Sequence, residues 1–579
     1  MPGDRARSIR DSRSTHSLIK RLEQMRDMFG PIVARERASL IRTLGKCRIL
    51  NPSDLLLYHD LLCFVRAYPD EQSLEKLAER ELLAFGKRVV DYKKLTRDRK
   101  GRRLDDSGIE GSITCYQFNY DMTRYLAAQY PKNFRVNWDS SSVDIWSTMA
   151  NQMGMLVSPQ ETDPVDYDDD FDMEVYLDLF GGKKNRIKAL LNLYGSSGLP
   201  PIILRDYWES LGMLIDWDLT GVGSARNLQR VPTQECFYQR EPLRKRTKDL
   251  RKELAAKPAP LRHCSMAEGQ KYLDIINEAL AVRNRELYPL TFGDPGEVYT
   301  VDAGRGARYI LYGSLPEYRL AVETNYGALL IRNGIPVGYG VAAMLLDRAE
   351  IAINIFPTFR GGESPYFFEQ FFRVFYHHFG SRVFVVRAKQ MGFGDEEALL
   401  SGAFWFYYKL GFRAVDPVVR KLADKQYAQI AADPTYRVPI SVMRKLSKTD
   451  VFLTVDPSKM NSYHEISSIG LGYRVTRMIG ERYLGDRAAA TRRSTERMIQ
   501  VLGIKNFNRW TENEQRSFGR LALLFIQTPG LTRWSRKEKQ ILASIMRAKG
   551  GKLEREHLLI SIQHPKLKVA VAKLAKLRP

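Results

Sequence analysis

The chain has 579 residues, 44% of them hydrophobic and 27% charged, and its 90 Lys and Arg against 67 Asp and Glu give a net +23. This balance is that of a globular protein and excludes a wholly disordered or fibrous chain, and the length predicts about three or four domains. No run approaches the roughly 18–20 uninterrupted apolar residues of a membrane span, because the most apolar region, 339–356, is broken by Asp347, Arg348 and Glu350.

The N-terminus, MPGDRARSIRDSRS, is charged and lacks the apolar stretch of a secretory signal, so a cytoplasmic protein with no membrane contact is expected. Five scattered cysteines, Cys47, Cys63, Cys115, Cys236 and Cys264, form no C-x-x-C, and no H-E-x-x-H occurs. Neither a disulfide framework nor a zinc site is predicted.

Residues 1–110 read as an N-terminal helical region, with apolar spacing at Leu18, Leu22, Met25 and Met28 and again around Leu55 and Leu62. A basic stretch at 93–108 follows as a linker or exposed loop. Residues 111–264 form a mixed region. Within it Gln160–Asp178 carries nine acidic residues and no basic one. The alternation of Asp166, Asp168, Asp170 and Asp172 imitates a calcium loop, but that loop's central glycine and terminal glutamate are missing, so a solvated acidic loop is expected and no metal. A basic helix, Leu243–Lys257, and the punctuation Lys257-Pro258-Ala259-Pro260 mark the next boundary.

Residues 265–417 hold the most informative pattern. Asn333-Gly334 between apolar runs predicts a hairpin, since both central residues take positive φ. A second turn at Asp347-Arg348 leads into Glu350–Phe356, where Ile351, Ile353 and Ile355 alternate with Glu350, Ala352 and Asn354 as in a two-faced strand. The loop Pro357–Pro365 then opens a helix running to about Phe379, with Ser364 as N-cap, Pro365 at N1, and Phe368, Phe371, Phe372 and Phe375 on one face. A buried strand at Val383–Val386 follows, giving a strand, helix, strand crossover. A second helix, Glu396–Leu410, stops at Gly411 before a last strand, Phe412–Val415. Gly304-Arg305-Gly306 reads as an isolated turn and not a dinucleotide fingerprint. His377-His378, at a helix end, suits the dipole and is not read as catalytic.

This order, with an arginine-glycine loop after a strand and then Tyr407-Tyr408-Lys409-Leu410-Gly411-Phe412, resembles the GCN5-related N-acetyltransferase (GNAT) family over roughly residues 320–416. The resemblance implies an α+β fold: a GNAT-like mixed α/β module flanked by mainly helical N- and C-terminal regions. In that family the loop is R/Q-x-x-G-x-G/A, and its amides and the following helix N-terminus hold the pyrophosphate of acyl-CoA. Carried over, Arg360, Gly361, Gly362 and Ser364 bind acetyl-CoA or another acyl-CoA. Tyr407, five residues before the phenylalanine of the Gly-Phe pair, protonates the leaving thiolate. Glu350, at the start of the strand before the loop, is the candidate base, with Glu323 behind it. In the family a backbone N–H exposed where the fourth and fifth strands splay holds the thioester oxygen, here Glu350–Phe356 against Arg382–Arg387. The loop departs from the pattern: counted from Arg360, the two glycine positions are Glu363 and Pro365. Proline lacks an N–H, and glutamate sets a negative charge beside the anion site.

From 418 to 579 the pattern returns to a basic helical C-terminal region. Capping boxes are predicted at Thr511-x-x-Glu514 and Ser535-x-x-Glu538. From Leu471 onward 24 basic residues face 8 acidic ones, a net +16 that leaves only +7 for the rest. Such density attracts polyanions. The expected function is acyl transfer from a CoA thioester to an amine. The alternatives are a GNAT-fold protein with aminoacyl-tRNA as donor, or a non-catalytic scaffold binding nucleic acid (tRNA or RNA) or protein through the basic region.

Overall fold

The computed structural model describes residues 14–138, 144–161, 173–183, 185–247, 250–288, 290–433, 435–460 and 466–576. The chain is of mixed α and β structure and divides into two compact units. The first comprises Met1–Pro242, Leu273–Thr291 and Arg332–Pro336, and the second Leu243–Tyr272, Phe292–Ile331 and Val337–Pro579. No described helix is long and apolar enough to cross a membrane.

The first unit opens with helices α1 (Pro31–Lys46), α2 (Pro52–Ala67), α3 (Gln72–Leu83) and α4 (Phe85–Leu95). The Asn51 side chain caps α2 by accepting from the Asp54 N–H, which satisfies one of the free donors of the first turn. Of the periodic positions before α1, Leu22 and Met25 are buried beside Ile19, while Met28 is half exposed. Residues 93–108, expected as a linker, are tied down: Leu104 is buried and Asp98 accepts from Tyr92 and from the Arg102 and Arg103 N–H groups. A small antiparallel sheet follows, from β1 (Ile113–Tyr116), β2 (Phe134–Asn137) and β3 (Leu214–Asp218) in the order β1-β3-β2. Its core gathers Trp208, Trp217, Tyr194 and Leu190. Asp166, Asp168, Asp170 and Asp172 lie outside the described residues. Among the described residues no three His, Cys, Asp or Glu come together as metal ligands.

The second unit is built on strands β4 (Leu261–His263), β5 (Gly293–Gly304), β6 (Ala307–Ser314), β7 (Thr324–Arg332), β8 (Ile335–Leu345), β9 (Arg348–Ile355), β10 (Val383–Val386), β11 (Arg413–Ala414) and β12 (Val451–Thr454). Their order is β11-β12-β10-β9-β8-β7-β6-β5-β4, with β9 and β10 parallel. The β7–β8 turn is Asn333-Gly334, at φ 49° and 78°. The β8–β9 turn sits one residue earlier than its sequence reading, with Leu346 at φ 56° and Arg348 already in the strand. Helix α5 (Ser364–His378) joins β9 to β10 and buries Phe368, Phe371, Phe372 and Phe375. Each such ring contributes about 1.5–3 kcal/mol by leaving water. Phe371 lies so close to Gly340 that a Cβ there would stand 2.8 Å from the ring.

Three sequence expectations change. The helix read over Glu396–Leu410 is two, α6 (Glu396–Leu400) and α7 (Ala403–Lys409), parted at Gly402 with φ 72°. The basic helix is seen over Leu250–Ala255 among the described residues, and residues 243–247 are not helical. The C-terminal region supplies strand β12, inserted between β10 and β11. Beyond it run α8 (Arg487–Leu502), α9 (Glu512–Phe525) and α10 (Arg536–Ala548), with capping boxes at Thr511/Glu514 and Ser535/Glu538.

Candidate functional site

Strands β9 and β10 stay in register only through Val383↔Arg348, Phe384↔Ala349 and Val385↔Glu350. β9 then continues to Ile355, while the chain after β10 turns off into Ala388–Met391. Pairing on the other side fixes where the freed groups point. The Phe356 N–H donates to Val337 O, so by antiparallel alternation Asn354 and Ala352 also bond toward β8. The main-chain groups of Ile353 and Ile355 therefore face the gap, beyond the last β10 partner.

A cavity of about 630 Å³ occupies that gap. Ala352, Ile353, Asn354 and Ile355 form one wall, Arg360, Gly361, Ser364 and Phe368 a second, and Ala403, Phe406 and Tyr407 a third. Lys389, Gln390 and Asp395, from the segment after β10, also line it. Sequence reading missed these three, since their segment carries no motif and only Gly392 and Gly394 mark it as a loop. The charged lining is thus two cations and one anion, a balance that suits an anionic guest.

The loop after β9 presents donors to this space. Gly361 takes φ 83°, and a Cβ there would meet nothing within 4 Å, so the main chain is open to the cavity. Among the described residues the N–H groups of Gly361 and Ser364 find no acceptor. Gly362 is buried, gives its N–H to Phe359 O at 3.1 Å, and is not part of the lining. Ser364 is the first helical residue, with Glu363 at the N-cap, so Ser364 and Pro365 lie one position further into the helix than read from sequence. The departures from the family loop resolve differently from their sequence reading. Glu363 is fully buried and its carboxylate is paired with Arg305 while accepting the Arg244 N–H at 3.0 Å. Its charge is therefore held inside the protein and out of the cavity. Pro365 falls in the first turn, where a missing N–H removes no intrahelical bond.

Tyr407 is packed edge-on against Phe406 and Phe412, with ring centroids 5.3 and 5.6 Å away. Its hydroxyl has no hydrogen-bond partner among the described residues, and burial pushes the phenol well above its ordinary range. The adjacent Tyr408 is different: it donates to Asp424 at 2.6 Å and lies under Arg413. Glu350 is not in the lining. Its carboxylate meets Arg387 at 2.7 Å, and Arg387 also holds Asp450 at 2.8 Å. Glu323 lies in the same electrostatic group, raised above its ordinary value by burial and by the charge of Glu350. The cavity thus brings together Arg360, Gly361, Ser364 and Tyr407, and leaves Gly362 and Glu350 aside. His377 and His378 bond to the carbonyls of Leu254 and Ala259, both at 2.7 Å.

A larger cavity of about 690 Å³ belongs to the first unit, but among the described residues Arg124 and Lys188 are its only charged lining, and no described carboxylate, cysteine or histidine lines it. Comparison with known proteins adds no match: no protein-family model, no curated protein and no solved structure is similar to this chain.

Proposed function

We propose that the chain is an N-acyltransferase of GNAT-like kind, moving an acyl group from acetyl-CoA or another acyl-CoA to an amine. One observation carries the reading: residues 360, 361, 364 and 407, drawn from two distant segments, line a single cavity where two parallel strands part. An anion site is chemically well founded there. Gly361 and Ser364, whose N–H groups find no acceptor among the described residues, line the space beside the N-terminus of a 15-residue helix, and Arg360 lines it too with its Nε 3.3 Å from Ile355 O. A thioester supplies an acyl carbon already activated toward an amine. The chain's part is to hold the pyrophosphate at 360–364, to offer a main-chain N–H of β9 to the carbonyl oxygen, and to give a proton from Tyr407 to the departing sulfur. Glu350, engaged by Arg387, is given no proton to accept in this scheme: the amine enters neutral and releases its proton to solvent as the amide forms, and solvent returns a proton to the Tyr407 oxygen.

Calorimetric titration with acetyl-CoA and CoA tests it. Saturable micromolar binding is expected, weakened at least fivefold by Arg360→Ala through loss of one charge-assisted contact, about 1–2 kcal/mol. No heat up to millimolar ligand overturns the reading.

A second reading, a GNAT-fold protein taking its acyl group from aminoacyl-tRNA, is favoured by helix α8. Its Arg487, Arg492 and Arg493 are exposed and meet no carboxylate among the described residues. If those arginines neutralise RNA phosphates, replacing all three by Gln lowers the slope of log Kd against log salt by about two. An unchanged slope removes RNA from this surface. Salt-dependent tRNA binding without CoA binding puts the second reading in place of the first, and RNA binding without any acyl transfer leaves a scaffold.

A further inference from the structure

We infer that the Gly304-Arg305-Gly306 turn is the positioning element of the anion-binding loop, with Arg305 holding the Glu363 carboxylate inside so that the opposite face of residues 360–364 receives a diphosphate. The inference rests on the CoA-slot reading and deepens it, since it assigns a role to a segment more than fifty residues away.

Glu363 stands in the middle of the loop, one residue before helix α5, with no exposed surface. A carboxylate in that setting needs charge compensation and filled lone pairs. Arg305 supplies the charge, with NH2 on one carboxylate oxygen and Nε 3.5 Å from the other. The Arg244 N–H adds a further bond at 3.0 Å. A second fastener joins the same two segments, for the Tyr366 hydroxyl donates to Ala303 O at 2.5 Å. The turn is shaped for this reach: Gly304, Arg305 and Gly306 take φ of 81°, 55° and 71° in succession. Glycine adopts such angles freely, so in this run the left-handed conformation is costly at Arg305 alone.

The physical consequence concerns sign. With Arg305 present, the loop has an inner face where the carboxylate meets its guanidinium and an outer face with the Gly361 and Ser364 N–H groups, which find no acceptor among the described residues. Without it, the Glu363 carboxylate loses the guanidinium seated on it, within the same five residues that hold the anion. Arg305 touches no ligand in this scheme; it acts through Glu363.

The test is calorimetric titration of the full chain, as wild type, Arg305→Gln and the double variant Arg305→Gln/Glu363→Gln, with CoA and with inorganic pyrophosphate. Arg305→Gln is expected to weaken both ligands at least tenfold. The double variant, which replaces the ion pair by a neutral hydrogen-bonding pair, is expected to recover to within threefold of wild type. Equal weakness in single and double variants marks a merely structural contact and overturns the inference, as does an Arg305→Gln chain that binds CoA like wild type; the CoA reading survives either result. Arg305-dependent pyrophosphate binding without CoA binding sustains the inference and removes the acyl-CoA reading. No binding of either ligand by wild type overturns both.

Discussion

Replacing Arg319 by alanine is expected to cost about 3–5 kcal/mol of unfolding free energy, read from urea denaturation, and to cost more at pH 8 than at pH 5. The side chain is 1% exposed and donates to Glu297 at 3.0 Å, to Ser314 O at 3.1 Å, and to the carbonyls of Lys549, Gly551 and Lys552 at 3.2, 2.6 and 3.1 Å. Truncation takes the guanidinium from four main-chain carbonyls, three of them just past the end of α10, and from the buried Glu297 carboxylate, which keeps the Tyr326 hydroxyl and the Arg555 N–H as donors. The pH term follows from Glu297. Burial pushes its pKa up from 4.5 to about 7, even though the charge of Arg319 pulls it down. A carboxyl raised on folding stabilises the protein below its ordinary value, and that contribution is lost as pH climbs through the raised value. Wild type therefore loses this contribution between about pH 4.5 and 7. Removing Arg319 takes away the largest lowering influence and drives Glu297 higher still, so at pH 8 the variant buries a carboxylate that has lost its guanidinium or holds a proton against the solution. An equal loss at both pH values would mean that Glu297 does not sense Arg319.

How much of this architecture was legible depends on whether its cause is local. Asn333-Gly334 and the two capping boxes were readable because their geometry is written within four residues. The phenylalanine face of α5 and the alternation along β9 were readable because burial imposes period on sequence. Strand β12 was not. Val451–Thr454 is a short apolar run inside a helical stretch, and only its pairing with Val383–Val386 makes it a strand. The break between α6 and α7 was hidden because a single glycine inside a helical pattern is usually tolerated. The candidate site divides in the same way. Arg360 and Tyr407 stand at motif positions, Gly361 and Ser364 between motif positions of the loop, and the cavity joins all four. Glu350 was chosen for its place on the strand, yet what it does is decided by Arg387, thirty-seven residues on. The Glu363–Arg305 pair has no sequence signature, because a buried ion pair between two loops leaves no periodicity.

Tyr407→Phe is expected to lower kcat for acyl transfer by about 10²–10³-fold while leaving the Kd for acyl-CoA within about twofold. The variant removes one oxygen and keeps the ring packed among Phe368, Phe406 and Phe412, so the cavity wall stays in place and binding reports the same surface. The hydroxyl is otherwise uncommitted among the described residues, and burial alone raises its pKa. A phenol held above its ordinary range keeps its proton across the working pH of an enzyme, and that makes it a donor and never a base. The loss should accordingly be constant from pH 6 to 9, measured as the ratio of wild-type to variant kcat. A ratio that changes with pH would assign the titrating group elsewhere, and a variant with wild-type kcat would show that the departing sulfur takes its proton from water. The neighbour sharpens the comparison. Tyr408→Phe breaks the bond to Asp424 and leaves the cavity untouched, so its kcat should stay near wild type. Only an acid placed at the reacting sulfur separates two adjacent tyrosines in this way.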